Sequence, residues 1–146
     1  MSISFLKRFY ASALAAFVLL TGGPAPAQAV TGIQSYRLEN GLTVLIKEDR
    51  RFPLVAVRLF VKAGSAWEKP GEEGISHLLE HMVFKGTQNR SARDIAEEMD
   101  MVGGQLNAFT SKECTCYYAK VTDDELKTAV DILADLALRP TFDEKE

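Results

Sequence analysis

Histidine and cysteine are scarce in this sequence, and their scarcity limits the metal sites that it can form. Two of each occur among 146 residues, so a site with imidazole ligands depends on His77 and His81. Basic residues are not in excess either, because 17 lysines and arginines stand against 20 aspartates and glutamates and leave a formal charge of -3. This balance argues against a nucleic-acid partner, and no GxGxxG or phosphate-loop pattern occurs.

The two cysteines, Cys114 and Cys116, are separated by one residue. On a strand their side chains would point to the same face, and a disulfide between them would close a very tight loop with strained geometry. We therefore expect ordinary strand residues, with Cys116 buried. A strained disulfide in an oxidising compartment is the alternative.

A long apolar run is also missing at the N-terminus. Residues 11–20 form a short, mainly apolar segment with too few residues for a comfortable membrane span of about 20 residues. They follow a Lys-Arg pair and precede an Ala-Gln-Ala tripeptide that ends at residue 29, as in secretory signal peptides. We expect residues 1–29 to be a cleaved signal peptide and the protein to be exported, with the bacterial periplasm as its destination. An uncleaved anchor or a buried first helix is the alternative.

The remainder of the chain alternates strand-like and helix-like patterns. Asn40-Gly41 predicts a tight turn between two strands, and Ser91 with Asp94 predicts a capping box that starts a helix. Thr122 and Glu125 are expected to cap a last helix that buries Leu126, Val130, Leu133, Ala134 and Ala137. Five strands are predicted, at residues 35–38, 43–47, 54–62, 105–110 and 116–121. Strands and helices in mixed order predict an α+β fold, with helices packed on a mainly antiparallel sheet.

Residues 77–81 read His-Leu-Leu-Glu-His. On a helix, His77 and His81 lie one turn apart on the same face, where both imidazoles can bind one metal ion. Glu80 lies beside them as a carboxylate that can activate water, and the order His-x-x-Glu-His is typical of inverzincin metalloproteases. A solvated helix face that happens to carry these residues is the alternative. An apolar stripe on the other side of this helix, formed by Ile75, Leu78, Leu79 and Met82, is expected to face a core.

Two blocks of sequence surround and follow this motif. The first comprises residues 63–65, Glu68 and residues 74–87, and the second comprises residues 106–111 followed by Tyr117-Tyr118. Together they resemble the pitrilysin/insulinase family of zinc metallopeptidases, which includes mitochondrial processing peptidases, over a stretch from Tyr36 to the end of the chain. The resemblance implies an α/β-roll, with residues 30–146 as an incomplete N-terminal peptidase domain.

The resemblance also implies roles for particular residues. His77 and His81 would be Zn²⁺ ligands, Glu80 the catalytic base, and Asn107 and Ala108 substrate-binding residues on an edge strand. For Asn107, closing a turn after Gly103-Gly104 is the alternative. Catalytic zinc usually has three protein ligands, and the resemblance places the third, a glutamate, about ten residues past Glu146.

The function implied is hydrolysis of peptide bonds in unfolded peptides or small proteins. The family encloses its substrate between two homologous halves, so the partners expected are a peptide substrate and a second half, in the same polypeptide or in another subunit. Because only two zinc ligands are evident, this chain is expected to be inactive by itself. A non-catalytic family subunit acting in assembly or binding is the alternative, and a metal-binding module without catalysis is a third possibility.

Overall fold

The computed structural model describes residues 32–143. The predicted signal peptide lies outside these residues. The described residues fall into two compact units, which are divided between Asp49 and Arg50. Within residues 32–143, no helix has the length and apolar character needed to cross a membrane.

The described part of the first unit is a β-hairpin. Strands β1 (Ile33–Arg37) and β2 (Thr43–Lys47) pair antiparallel. At the turn between them, Gly41 has a φ of 87°, a left-handed conformation that glycine adopts without strain. The side-chain oxygen of Asn40 accepts a hydrogen bond from the Leu42 N–H at 3.1 Å. The hairpin predicted from Asn40-Gly41 is confirmed.

The second unit contains an antiparallel sheet with three helices. The strands are β3 (Leu54–Val61), β4 (Gln105–Thr110) and β5 (Thr115–Thr122), in the order β3-β5-β4. The helices are α1 (Ile75–Val83), α2 (Ala92–Met101) and α3 (Leu126–Leu138), and short 3₁₀ turns occupy Ser65–Trp67 and Asp123–Glu125. Helices packed on antiparallel strands confirm the predicted α+β fold.

The core of this unit lies around the central strand β5. Its members are side chains from β5, α2 and α3 together with one from α1: Tyr117, Ala119, Val121, Ile95, Met99, Ala129, Ile132, Leu133, Leu136 and Val83. The predicted capping box of Ser91 and Asp94 begins α2. Cys116, as predicted, is fully buried.

The buried side of α3 differs from the expectation. Leu133 is buried as predicted, but Leu126 and Val130 are 41% and 46% exposed, while Ile132 and Leu136 are fully buried. Thr122 makes no side-chain cap, because a 3₁₀ turn precedes the helix. Apolar residues occupy most of the circumference of α3, so its pattern did not determine which side faces the core.

A buried carboxylate fixes the orientation of α3. Asp135 is fully buried. Its two oxygens accept hydrogen bonds from Thr87 at 2.5 Å, Asn89 at 2.7 Å, Arg90 at 3.1 Å and Arg139 at 3.0 Å. Burial alone would raise the pKa of Asp135, but these four hydrogen bonds outweigh it and lower the pKa from 3.8 to about 2. Asp135 therefore ties the loop after α1 to the last helix.

This lowered pKa predicts an acid-labile contribution to stability. Because the folded state holds the pKa of Asp135 near 2 rather than 3.8, the contribution is complete above about pH 4 and is lost as the pH falls towards 2. We expect the difference in urea-unfolding free energy between the 146-residue chain and its Asp135→Asn variant to shrink over this interval. A constant difference from pH 6 to pH 2 would contradict the assignment.

Candidate metal centre

Glu68 sets the start of the helix that carries the histidines. Its carboxylate accepts hydrogen bonds from the backbone N–H groups of Gly74, at 2.8 Å, and Ser76, at 3.0 Å. These groups belong to the first turn of α1, whose N–H groups lack partners within the helix. The same bonds, with that from Gly74 the larger influence, lower the pKa of Glu68. A residue from the preceding loop thus stabilises the N-terminus of α1.

The imidazoles of His77 and His81 converge on the solvent-exposed side of α1. Their Nε2 atoms are 3.1 Å apart, and their ring centroids are separated by 4.7 Å. Two nitrogens bound to one tetrahedral zinc ion, each at 2.0–2.1 Å, lie roughly 3.3 Å apart. The observed separation therefore fits two adjacent positions of a zinc coordination shell.

The apolar side of α1, opposite the histidines, is not buried as its pattern predicted. Ile75, Leu78 and Leu79 are 43%, 59% and 41% exposed, so the prediction that they face a core is wrong for the described residues. The buried side chains are Ser76, Glu80 and Val83. The helix packs on β4 and β5 through the side that carries these three side chains. The carboxylate of Glu80 therefore lies between α1 and the sheet.

A side chain of the sheet binds the carboxylate of Glu80. This residue is 9% exposed, and its Oε2 accepts a hydrogen bond from the hydroxyl of Thr110 on β4. The Thr110 hydroxyl lies 3.2 Å from that of Thr115 on β5, which donates to the Ala63 carbonyl at 2.9 Å. Neither threonine was predicted from the sequence. The signal available was the position of Thr110 two residues after Ala108, which places both on the same face of β4.

Tyr117 lies on β5 within the same region. It is buried and its ring lies 6.3 Å from that of Phe84, measured between centroids. Burial raises the pKa of Tyr117, and the negative charge of Glu80 adds to this effect. The phenol therefore stays neutral at physiological pH beside the carboxylate.

The two predicted substrate-binding residues lie on β4, at one edge of the described sheet. Asn107 is exposed, whereas Ala108 and Thr110 are half-buried on the opposite face. The Asn107 side chain accepts a hydrogen bond from the Ala108 N–H at 2.8 Å. Asn107 belongs to the strand itself, paired with Tyr118, so the alternative that it only closes the preceding turn is wrong.

A third metal ligand is not found among the described residues. No group of three or more histidine, cysteine, aspartate or glutamate side chains within residues 32–143 is placed to hold one metal ion. Cys114 and Cys116 are free thiols. The donors that this part of the chain offers are the two imidazoles, with Glu80 buried beside them.

The described residues thus form an α+β domain in which a helix on an antiparallel sheet carries the order His-x-x-Glu-His, the motif of inverzincin peptidases. The sequence profile described as "Insulinase (Peptidase family M16)" matches residues 43–146. The chain belongs to this family.

Comparison with known proteins gives relatives in bacteria and mitochondria. The chain is 50% identical over 114 residues to "Uncharacterized zinc protease YmxG" of Bacillus subtilis, an alignment covering 78% of this chain and 28% of the relative. It is 44% identical over 125 residues to "Mitochondrial-processing peptidase subunit beta" of Bos taurus, covering 84% of this chain and 25% of the relative. The chain thus spans about a quarter of the length of these curated relatives.

A solved structure shares the fold. The crystal structure of a peptidase M16 inactive domain from Pseudomonas fluorescens superposes with a TM-score of 0.72 at 22% identity, covering 78% of this chain and 28% of that one. At this identity the likeness establishes the fold alone.

Proposed function

We propose that this chain is the N-terminal part of a zinc-dependent metalloendopeptidase. The observation that carries the proposal is the convergence of two imidazole Nε2 atoms, 3.1 Å apart, on a helix that also buries Glu80 against the sheet. The name of the Bacillus subtilis relative, a zinc protease, supports it. Activity and zinc content of the full-length protein, with Glu80→Gln and His81→Ala variants, test it.

In this proposal His77 and His81 bind Zn²⁺, and a third donor comes from outside residues 32–143. A zinc ion bound there would supply Lewis acidity, which polarises a peptide carbonyl and brings the pKa of a water molecule to about 7. Two imidazoles provide only two of the usual three protein ligands. The proposed third ligand is a glutamate on a following helix.

Glu80 acts as the general base rather than as a ligand. Its carboxylate would take a proton from the attacking water as the water oxygen bonds to the peptide carbonyl carbon. It would then deliver that proton to the amide nitrogen as the C–N bond breaks. The structure supports a role other than that of a ligand, because Glu80 is buried and hydrogen-bonded to Thr110, whereas both histidines are exposed.

The substrate proposed is an extended peptide that pairs with β4. An edge strand offers a row of backbone groups to which a further strand can bind, a mode that recognises extended chains with limited dependence on side chains. The Ala108 N–H donates to the Asn107 side chain, so a substrate carbonyl would take over this donor as the Asn107 amide turns away. This mode favours unfolded peptides and small proteins.

The complete enzyme is proposed to need a second homologous half, in the same polypeptide or in a partner subunit. A relative named as a subunit supports an assembly of halves. Residues 1–29 are proposed to direct export to the periplasm. The intact His-x-x-Glu-His motif favours the enzyme over a non-catalytic family subunit, since members that lose catalysis usually lose those residues.

A direct expectation concerns the isolated segment. Residues 30–146, purified and supplied with zinc, should show no turnover of a quenched fluorescent peptide, because a two-imidazole site binds zinc weakly and the second half is missing. The control is the same assay with the full-length protein. Turnover by the segment that is abolished by Glu80→Gln would contradict the claim that the third donor lies elsewhere.

A further inference from the structure

We propose that Thr110 is a positioning residue for the catalytic base, and that Thr115 supports it from the neighbouring strand. The inference rests on the proposed role of Glu80 and names the side chains that hold its carboxylate in position to act as a base. Among the described residues, the Thr110 hydroxyl is the hydrogen-bond donor that holds Glu80, through Oε2. With Oε2 held in this way, the carboxylate cannot rotate freely, and Oε1 is left to meet the attacking water.

The register of the sheet places the two threonines together. Thr110 is the last residue of β4 and pairs directly with Thr115, the first residue of β5. The four-residue connection between them is closed by hydrogen bonds from the Ser111 N–H to the Cys114 carbonyl at 2.8 Å and from the Cys114 N–H to the Ser111 hydroxyl at 3.1 Å. The two hydroxyls therefore occupy fixed positions beneath α1.

A further contact anchors Thr115. Its hydroxyl donates to the Ala63 carbonyl, and the segment after Ala63 lies directly against the β4–β5 connection. The Ala66 N–H donates to the Lys112 carbonyl at 2.8 Å, and a Cβ added to Gly64 would lie only 2.4 Å from the Ser111 carbonyl oxygen. Each hydroxyl has one proton to donate, so a hydrogen bond from Thr110 to Thr115 forms when Glu80 is protonated and Thr110 accepts from it. In that state the chain from Glu80 through Thr110 and Thr115 ends on backbone that has little room to move.

A hydroxyl suits this position because it both donates and accepts hydrogen bonds. Thr110 can donate to Glu80 when the carboxylate is ionised. It can accept from Glu80, and donate in turn to Thr115, while the carboxyl carries the proton between attack and C–N cleavage. A valine of the same shape can do neither, which makes Thr110→Val a selective probe.

The test uses the full-length protein and a quenched fluorescent peptide. We expect Thr110→Val to lower kcat about 10- to 100-fold, as for a misplaced catalytic group, with KM and bound zinc unchanged. Thr110→Ser should restore most of kcat, since it retains the hydroxyl. The matched control is Thr128→Val on α3. It removes a threonine hydroxyl that donates a hydrogen bond to Glu125 at 2.7 Å, and it should leave kcat unchanged.

A double substitution separates positioning from general support of the fold. In a Glu80→Gln background, Thr110→Val should cause no further loss of kcat, because Thr110 acts through the Glu80 carboxylate. An equal loss in both backgrounds would overturn the inference, as would wild-type kcat in Thr110→Val when Glu80→Gln is inactive. Full activity of Glu80→Gln would instead overturn the proposed function.

Thr115→Val provides a second route should Thr110→Val fail to fold. It leaves the Thr110–Glu80 contact in place but removes its support, and we expect a smaller fall in kcat with normal zinc content. If Thr115→Val and Thr110→Ala both had the kcat of the wild type, the inference would be overturned.

Discussion

Replacing Glu80 by Gln in the full-length protein is expected to lower kcat about 10²- to 10⁴-fold, the usual contribution of a general acid–base group. The amide keeps the size of the side chain and a hydrogen bond to Thr110 but cannot take a proton from water. Zinc content should remain that of the wild type, because Glu80 is buried beneath the helix while the two imidazoles face solvent. Peptide hydrolysis and metal analysis of the same preparation measure both quantities.

His81→Ala is the matched comparison. It removes one of the two converging Nε2 atoms, so both zinc and activity should be lost. Loss of zinc in Glu80→Gln would mean that the carboxylate is a ligand and would contradict its assignment as the base. Activity in His81→Ala with no bound metal would contradict the proposal of a zinc peptidase.

Replacing Asp135 by Ala should destabilise the 146-residue chain by about 3 kcal/mol, the upper end of what a hydrogen bond to a charged group usually contributes. Asp135 is fully buried, and its loss removes the acceptor for Arg90, Arg139, Thr87 and Asn89 together. Folded proteins usually have stabilities of about 5–15 kcal/mol, so a change of this size is a large share of the total. Urea unfolding followed by circular dichroism measures it.

Asp131 offers a control on the same helix with the same arginine. Its carboxylate lies 2.7 Å from Arg90, but its side chain is 61% exposed, and pairs of this kind contribute only about 0–1 kcal/mol. Asp131→Ala should therefore be nearly neutral. Equal destabilisation by both substitutions would show that burial of Asp135 is not the source of its contribution.

Patterns between near neighbours in the sequence were sufficient for most of the secondary structure. The Asn40-Gly41 hairpin and the capping box of Ser91 and Asp94 were predicted and are present. Each depends on groups a few residues apart, whose geometry follows from local backbone conformation. Predictions of which helix side is buried were less successful, since in α1 and α3 apolar side chains occur on more than one side.

For the candidate site, too, some features followed from the sequence and others only from the tertiary structure. The sequence by itself determined the family and the pairing of His77 with His81, because residues four apart on a helix must lie on one face. Only the tertiary structure decided that Glu80 is buried and that a threonine thirty positions later in the chain binds it. The same holds for Asp135, whose partners Thr87 and Asn89 lie 48 and 46 positions away. These contacts depend on how helices and strands pack together, which a local periodicity does not specify.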